Sequence, residues 1–238
     1  MTDVETVDLY LQNRLLATLS RDERKRLLPK LKPVTLNFAE VLYEAGAPIT
    51  HLYFATTAVV STLAVIDQGV KVETSLIGNE GVLGVSVFLG VHLAANEAIV
   101  QSAGTALVVS ATDIDDEFKR VGPLHDAILR YTHVLLTQVT QTATCNRHHT
   151  LEERLSRWLL MMGDRVESNT LALTEEFLSW MLGVGHTLAG STAISMHDAG
   201  IIEYGSGRLV ILDRKKLEQS ACGCHRLLKA HFDRLLAA

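Results

Sequence analysis

Aromatic residues make up only 5% of the 238-residue chain, so its 47% hydrophobic share is almost entirely aliphatic. Any core must be built from Leu, Val, Ile and Ala. Long apolar runs are missing. Asp67, Lys71 and Glu73 interrupt the stretch around residues 59–66, and His92 and Glu97 interrupt that around 82–100. No transmembrane helix is expected. The opening Met1-Thr-Asp-Val-Glu5 is acidic and carries no basic segment, so no signal peptide is expected and a cytoplasmic location follows. Cysteine is sparse: Cys145, Cys222 and Cys224 form an odd set, which fits a reducing compartment better than a disulfide framework. Gly-x-Ser-x-Gly, P-loop and His-Glu-x-x-His motifs do not occur, and no enzyme activity is expected.

Cations are missing from two long windows. No Lys or Arg lies between Lys71 and Lys119, and none between Arg165 and Arg208. The net charge is −5; 12 basic and 16 acidic residues precede Thr150, and 10 and 11 follow from there. A nucleic-acid-binding domain usually carries a basic face, and the C-terminal part of this chain shows no excess of one.

What is present changes character along the chain. Ser20-Arg-Asp-Glu23 is a capping box opening a helix through Leu27, Leu28 and Leu31. Pro29 and Pro33 mark its end. From Val34 the pattern becomes short β segments: 34–38, 41–44, 51–55, 58–65, 70–77, 98–102 and 104–110. Turn residues separate them, as in an all-β sandwich or barrel. Gly81–Gly90 is punctuated by glycine and reads as a short helix with loops, and 112–120 as another short helix. After Gly122-Pro123 a long helix is expected, with Leu124, Ile128, Tyr131, Leu135 and Val139 at spacings of 4, 3, 4 and 4. A second copy of the helix is the simplest cover for that seam; packing on its own domain is the alternative. Thr150-Leu-Glu-Glu153 is a second capping box, opening a helix over 151–162.

The segment that follows has an ordered pattern. Thr174 caps a helix with Glu175 and Glu176 in its first turn. Gly183-Val-Gly185 is a tight turn, His186–Ala199 forms a second helix, and Ile201–Leu212 folds as a hairpin around Gly205-Ser-Gly207. Helix, turn, helix and hairpin together make a winged helix-turn-helix.

At this point the chain resembles the Crp/Fnr regulators over nearly its whole length. The residues that carry the likeness are Glu40-Val-Leu-Tyr-Glu-Ala-Gly46, Gly78-Asn-Glu-Gly-Val-Leu-Gly84, Leu151-Glu-Glu-Arg-Leu-Ser-Arg-Trp-Leu-Leu160, Leu173–Val184 and Ala199-Gly-Ile-Ile202. The resemblance implies an α+β architecture: a jelly-roll-like β-roll sensor over 1–122, a dimerisation helix over 123–149 and a winged helix-turn-helix domain over 150–238. It implies a homodimer that binds promoter DNA and addresses RNA polymerase, with an effector sensed in the roll. Ile128, Tyr131, Leu135 and Val139 are then the expected dimer contact. Gly81, Leu83, Gly84, Asn96 and Glu97 are the expected effector pocket.

Two departures stand out. The family reads DNA with the second helix of its motif, usually through Arg, whose fork bonds guanine bidentately. Here His186, Thr187 and Ser191 occupy those places. With Arg208 on the wing they are the expected DNA contacts, and binding is expected to be weak, weaker still as pH rises past the histidine range. Arg154, Arg157 and the Arg214-Lys-Lys216 run are the nearest further cations. Relatives that bind cyclic nucleotides hold the phosphate with Arg followed by Ser or Thr. Here that place falls at Asn96-Glu97, with no cation expected nearby, so cyclic AMP is not the expected effector. A dimeric sensing or protein-interaction module with weakened DNA binding is the alternative reading. For metals, Cys145 with His148 and His149 is one possible cluster and Cys222-Gly-Cys224-His225 another. The family's oxygen-sensing iron–sulfur cluster needs four cysteines, most near the N-terminus. Haem ligation by His51 or His92, and a cupin-like metal site, find no support. No metal ligand is assigned and the cofactor stays unknown.

Overall fold

Ser20 opens one of the N-terminal helices by local chemistry. Its hydroxyl accepts the Glu23 amide at 3.3 Å while a Glu23 carboxylate oxygen accepts the Ser20 amide at 3.0 Å. This capping box opens α2 (Arg21–Leu27), which follows the short turn of α1 (Arg14–Ala17). The chain is seen in a computed structural model that describes residues 9–66 and 69–236.

The β region forms two antiparallel sheets. One orders β1 (Lys32–Leu36), β7 (Gly104–Ser110) and β3 (His51–Ala55) as β1-β7-β3. The other orders β2 (Val41–Tyr43), β6 (Glu97–Ser102), β4 (Val59–Val65) and β5 (Lys71–Ile77) as β2-β6-β4-β5. Pro33, read from sequence as marking the end of the first helix, sits inside β1 opposite Leu107. An edge strand tolerates it because its outer side needs no ladder. Between β5 and β6 the glycine-punctuated segment makes a 3-10 turn, Val85–Leu89, bracketed by Gly84 and Gly90 at φ 104° and 79°.

After β7 come α3 (Ala111–Phe118) and the 26-residue α4 (Pro123–His148), about 39 Å long. Glu23 reaches across to start it: its second carboxylate oxygen accepts the Leu124 amide at 2.7 Å. One buried carboxylate thus serves two helix N-termini. Leu124, Ala127, Ile128, Tyr131 and Val134 pack into the core of the β region with Leu16, Leu27, Phe54, Val82 and Ile114.

Thr150 caps α5 (Leu151–Gly163) by a second capping box. Then follow β8 (Thr170–Ala172), α6 (Glu175–Leu182), α7 (His186–Asp198), and the hairpin of β9 (Ile202–Gly205) and β10 (Arg208–Ile211). Ser206 and Gly207 both have positive φ, as a two-residue hairpin turn demands. The wing has three strands, β8-β10-β9; β8 is too short to read from its own pattern. Two helices complete the described chain, α8 (Arg214–Ser220) and α9 (Cys224–Leu236).

The two halves share one core. Val59, Leu63, Leu76 and Ile99 of the roll pack with Trp158, Leu159, Met162, Phe177 and Leu178. Two buried polar links cross the same seam: Trp158 Nε1 donates to Glu73 Oε1 at 2.8 Å, and Arg165 pairs with Glu80 at 2.7 Å. No helix among the described residues is long and apolar enough to cross a membrane.

Candidate nucleic-acid interface, sensor cleft and cysteine cluster

The helix-turn-helix is set by its turn. Gly183 adopts φ 60°, a left-handed conformation that stops α6. Ser179 Oγ then donates to the Val184 carbonyl at 2.5 Å and holds the turn closed. α7 leaves this turn with Ala189, Ala193 and Met196 buried. Small residues on the buried face bring it close to α6. Its outer face carries His186, Thr187, Leu188, Ser191, Ile194 and Ser195, all exposed. A Cβ at Gly190 would meet open space. The Ser191 and Thr192 hydroxyls both donate to the Leu188 carbonyl, at 3.0 and 2.9 Å, which leaves their oxygens free to accept. The outer face of α7 has no Lys or Arg; Arg208, on the wing, is exposed and only loosely paired with Glu203 at 3.6 Å.

The other cations expected near DNA divide sharply. Arg154 and Arg157 are buried and cannot reach a phosphate. Arg214 is held by Asp164 at 2.5 Å and Glu218 at 3.1 Å. Lys215 and Lys216 remain exposed. Burial works against the Asp164 charge, but His225 and Arg214 outweigh it and hold the carboxyl down at about 2.

A cleft in the β-roll encloses about 760 Å³, its open mouth included. Of the residues expected in an effector pocket, Leu83, Gly84 and Asn96 line it. Gly81 and Glu97 do not. Gly81 backs onto the Tyr131 ring, which an added Cβ would strike at 2.2 Å. Glu97 is not without a cation: Lys71 reaches it at 2.6 Å and also sits 4.8 Å over the Trp180 ring of α6. Sequence reasoning missed Thr62, Thr74 and Ser75, whose hydroxyls form one chain on the cleft wall: Thr62 Oγ1 lies 2.8 Å from Thr74 Oγ1 and 2.6 Å from Ser75 Oγ. Strand alternation gave no signal for them together, because Thr74 and Ser75 are adjacent in β5 and meet Thr62 at a register shift that pairs Thr62 with Ser75 and Leu63 with Glu73. Among the described residues, none that lines the cleft is charged.

The long helix corrects the expected seam. Ile128 and Tyr131 are fully buried in the chain's own core, so they cannot meet a partner. Leu135 and Val139 line the sensor cleft. The outward apolar residues are instead Leu129, Leu136, Ala143 and the rim of Val139. With Thr132 they recur at spacings of 3, 4, 3 and 4.

The two partial metal clusters read from sequence merge into one. Cys145, His149, Cys222 and Cys224 place their ligand atoms within 4.8 Å of one another. His148 and His225 are not part of it; His225 instead meets Asp164 at 2.7 Å. Cys145 and Cys222 share a close sulfur contact. That contact and burial push the Cys145 thiol above the usual range, and the same contact draws Cys222 below it.

Comparison with known proteins agrees with this geometry. Residues 153–220 match the Crp-like helix-turn-helix domain. No curated protein matches the chain. Among solved structures, FixK2 from Bradyrhizobium japonicum superposes with a TM-score of 0.68 at 16% identity, over 81% of this chain and 98% of that one. CLP, the c-di-GMP responsive global regulator of Xanthomonas campestris, gives 0.65 at 16% identity over 82% and 100%. A CRP-family transcriptional regulator of Thermus thermophilus gives 0.66 at 17% identity over 80% and 96%. Residues 153–220 are thus a Crp-like helix-turn-helix domain, and the chain as a whole has the fold of the Crp/Fnr DNA-binding transcription regulators.

Proposed function

We propose that the chain is a homodimeric transcription regulator that binds promoter DNA through α7 and the wing and senses a neutral, weakly polar ligand in the roll. In this reading residues 1–122 sense, 123–149 dimerise and 150–238 bind DNA. RNA polymerase is a further partner and the cytoplasm the location, both by resemblance to the family. The observation that carries the reading is the exposed outer face of α7 within a Crp-like helix-turn-helix domain. Its Thr187, Ser191 and His186 offer donors and acceptors to base edges, and Leu188 and Ile194 offer apolar contact to thymine methyls. Arg208, Lys215 and Lys216 supply the phosphate contacts.

The ligand class follows from the cleft. Its wall is hydroxyls, one amide and aliphatic side chains, and a phosphate there would have no cation to meet it. Lys71 is already committed to Glu97. The outward seam of Leu129, Thr132, Leu136, Val139 and Ala143 supports dimerisation, because an exposed heptad of this kind is covered by a second helix. Val139 belongs to both the seam and the cleft, so a ligand there touches the helix that pairs the subunits.

The test is selection of genomic fragments by the wild-type chain and by a Thr187→Ala, Ser191→Ala double variant. The wild type should enrich one palindromic motif, and the variant should lose that enrichment while keeping weak general binding. The second reading, a protein-interaction module, draws on the exposed Leu188 and Ile194. Absence of any enriched motif would favour it over DNA recognition.

A further inference from the structure

We propose that Cys145, His149, Cys222 and Cys224 form a tetrahedral binding site for one zinc ion, which clamps the junction between the long helix and the DNA-binding domain. The site goes beyond the DNA-binding reading and does not depend on it.

The four ligands come from two places far apart in sequence. Cys145 and His149 stand one turn apart at the C-terminal end of α4, where His149 is the cap residue. Cys222 and Cys224 flank Gly223 in the link between α8 and α9, and Cys224 is the first residue of α9. Two thiolates about 2.3 Å from one tetrahedral ion lie about 3.8 Å apart, and a thiolate and an imidazole nitrogen about 3.6 Å apart. Here Cys145 Sγ is 3.8 Å from Cys222 Sγ, and Cys224 Sγ is 3.9 Å from His149 Nδ1. Two of the ligand pairs therefore already stand near single-ion spacing, and all four atoms lie within 4.8 Å of one another. Such spacing is too tight for a multi-iron cluster, whose ligands surround several metal atoms.

The surroundings fit a metal thiolate. All three cysteines are buried and His149 is half-buried. Gln141 Nε2 donates to Cys224 Sγ at 2.8 Å, the kind of outer bond that orients a ligand. Three thiolates and a neutral imidazole around Zn²⁺ would leave a net charge of −1. Arg157 and Arg154 answer that charge. Both are buried, both have an Nε atom with no hydrogen-bond partner, and neither has a carboxylate within ion-pair distance among the described residues. A Cys₃His set with a closed shell and no room for substrate is structural rather than catalytic.

Position gives the site its consequence. His149 caps α4 and Thr150 caps α5, so the ion would tie the hinge between those helices to the C-terminal α8–α9 link. Metal occupancy would then restrain how the helix-turn-helix is presented.

The experiment is metal analysis of the full chain purified under reducing conditions, followed by titration of the metal-free protein with Co²⁺. The expected result is one zinc per chain, replaced by one Co²⁺ with thiolate-to-cobalt charge transfer and strong tetrahedral visible bands. Cys222→Ser and His149→Ala should abolish the one-to-one signal. Gln141→Ala should weaken affinity by about 10–100-fold, and His148→Ala should leave it unchanged. Circular dichroism identifies any variant that does not fold, and the wild-type titration then decides alone. Absence of the cobalt spectrum in the wild-type chain, a Cys145–Cys222 disulfide in freshly purified protein, or full metal retention by a folded Cys222→Ser chain would each overturn the proposal.

Discussion

Glu73 is a carboxyl placed where its charge is costly. Burial is the main cause that raises it to about 7, against the hydrogen bonds from Ser61 and Trp158 and the nearby Arg157 and Arg165 charges that lower it. A raised carboxyl is neutral in the folded chain while the unfolded chain has already ionised. Stability is then full below about 4.5 and falls as pH rises from about 4.5 to about 7. The loss at pH 8 is of order 3 kcal/mol, since each unit is worth about 1.4 kcal/mol. Glu73→Gln keeps an acceptor for Trp158 and removes the charge. Urea unfolding should therefore show the variant more stable than wild type at pH 8, by up to about 3 kcal/mol, and nearly equal at pH 4. A variant less stable at pH 8 would show that the ionised carboxylate is needed at the seam. The cost of this carboxyl was invisible in sequence: Glu73 stood there only as a residue interrupting an apolar stretch. Its burial comes from Trp158, 85 residues away.

At the scale of elements, the local signals were the legible ones. Both capping boxes, the glycine turn at Gly183 and the hairpin turn at Gly207 act over a few residues and formed where their chemistry placed them. The strands at 51–55 and 104–110 have the expected bounds. The face of α4 was misread because a seam of spacing 4 and 3 does not say what it packs against. Leu124, Ile128 and Tyr131 turn inward because the roll needs a third layer over Phe54 and Val82. The pairing test therefore moves one position round the helix. Leu129→Glu with Leu136→Glu should leave the fold intact by circular dichroism and convert dimers to monomers in sedimentation, since both side chains are exposed in the single chain. Ile128→Glu should instead unfold the sensor. A folded dimer in the first variant would place the interface elsewhere.

For the whole molecule, the order of elements was legible and the three-dimensional meeting points were not. The cysteine–histidine cluster joins residues up to 79 positions apart, and each half looked incomplete alone. The missing cations were legible from the start, and the fold sharpens that reading. Burial takes Arg154 and Arg157 out of reach of DNA, and Asp164 holds Arg214. In the proposed dimer Arg208, Lys215 and Lys216 of each subunit would give about six phosphate contacts, for a log–log salt slope of about −5 at full engagement. The most direct measurement is titration of one enriched fragment across a salt series, with the stoichiometry read at saturation. The account predicts two chains per site, a slope between about −2 and −5, and preference for the motif at every salt concentration. A slope near zero with no preference for the motif would contradict it.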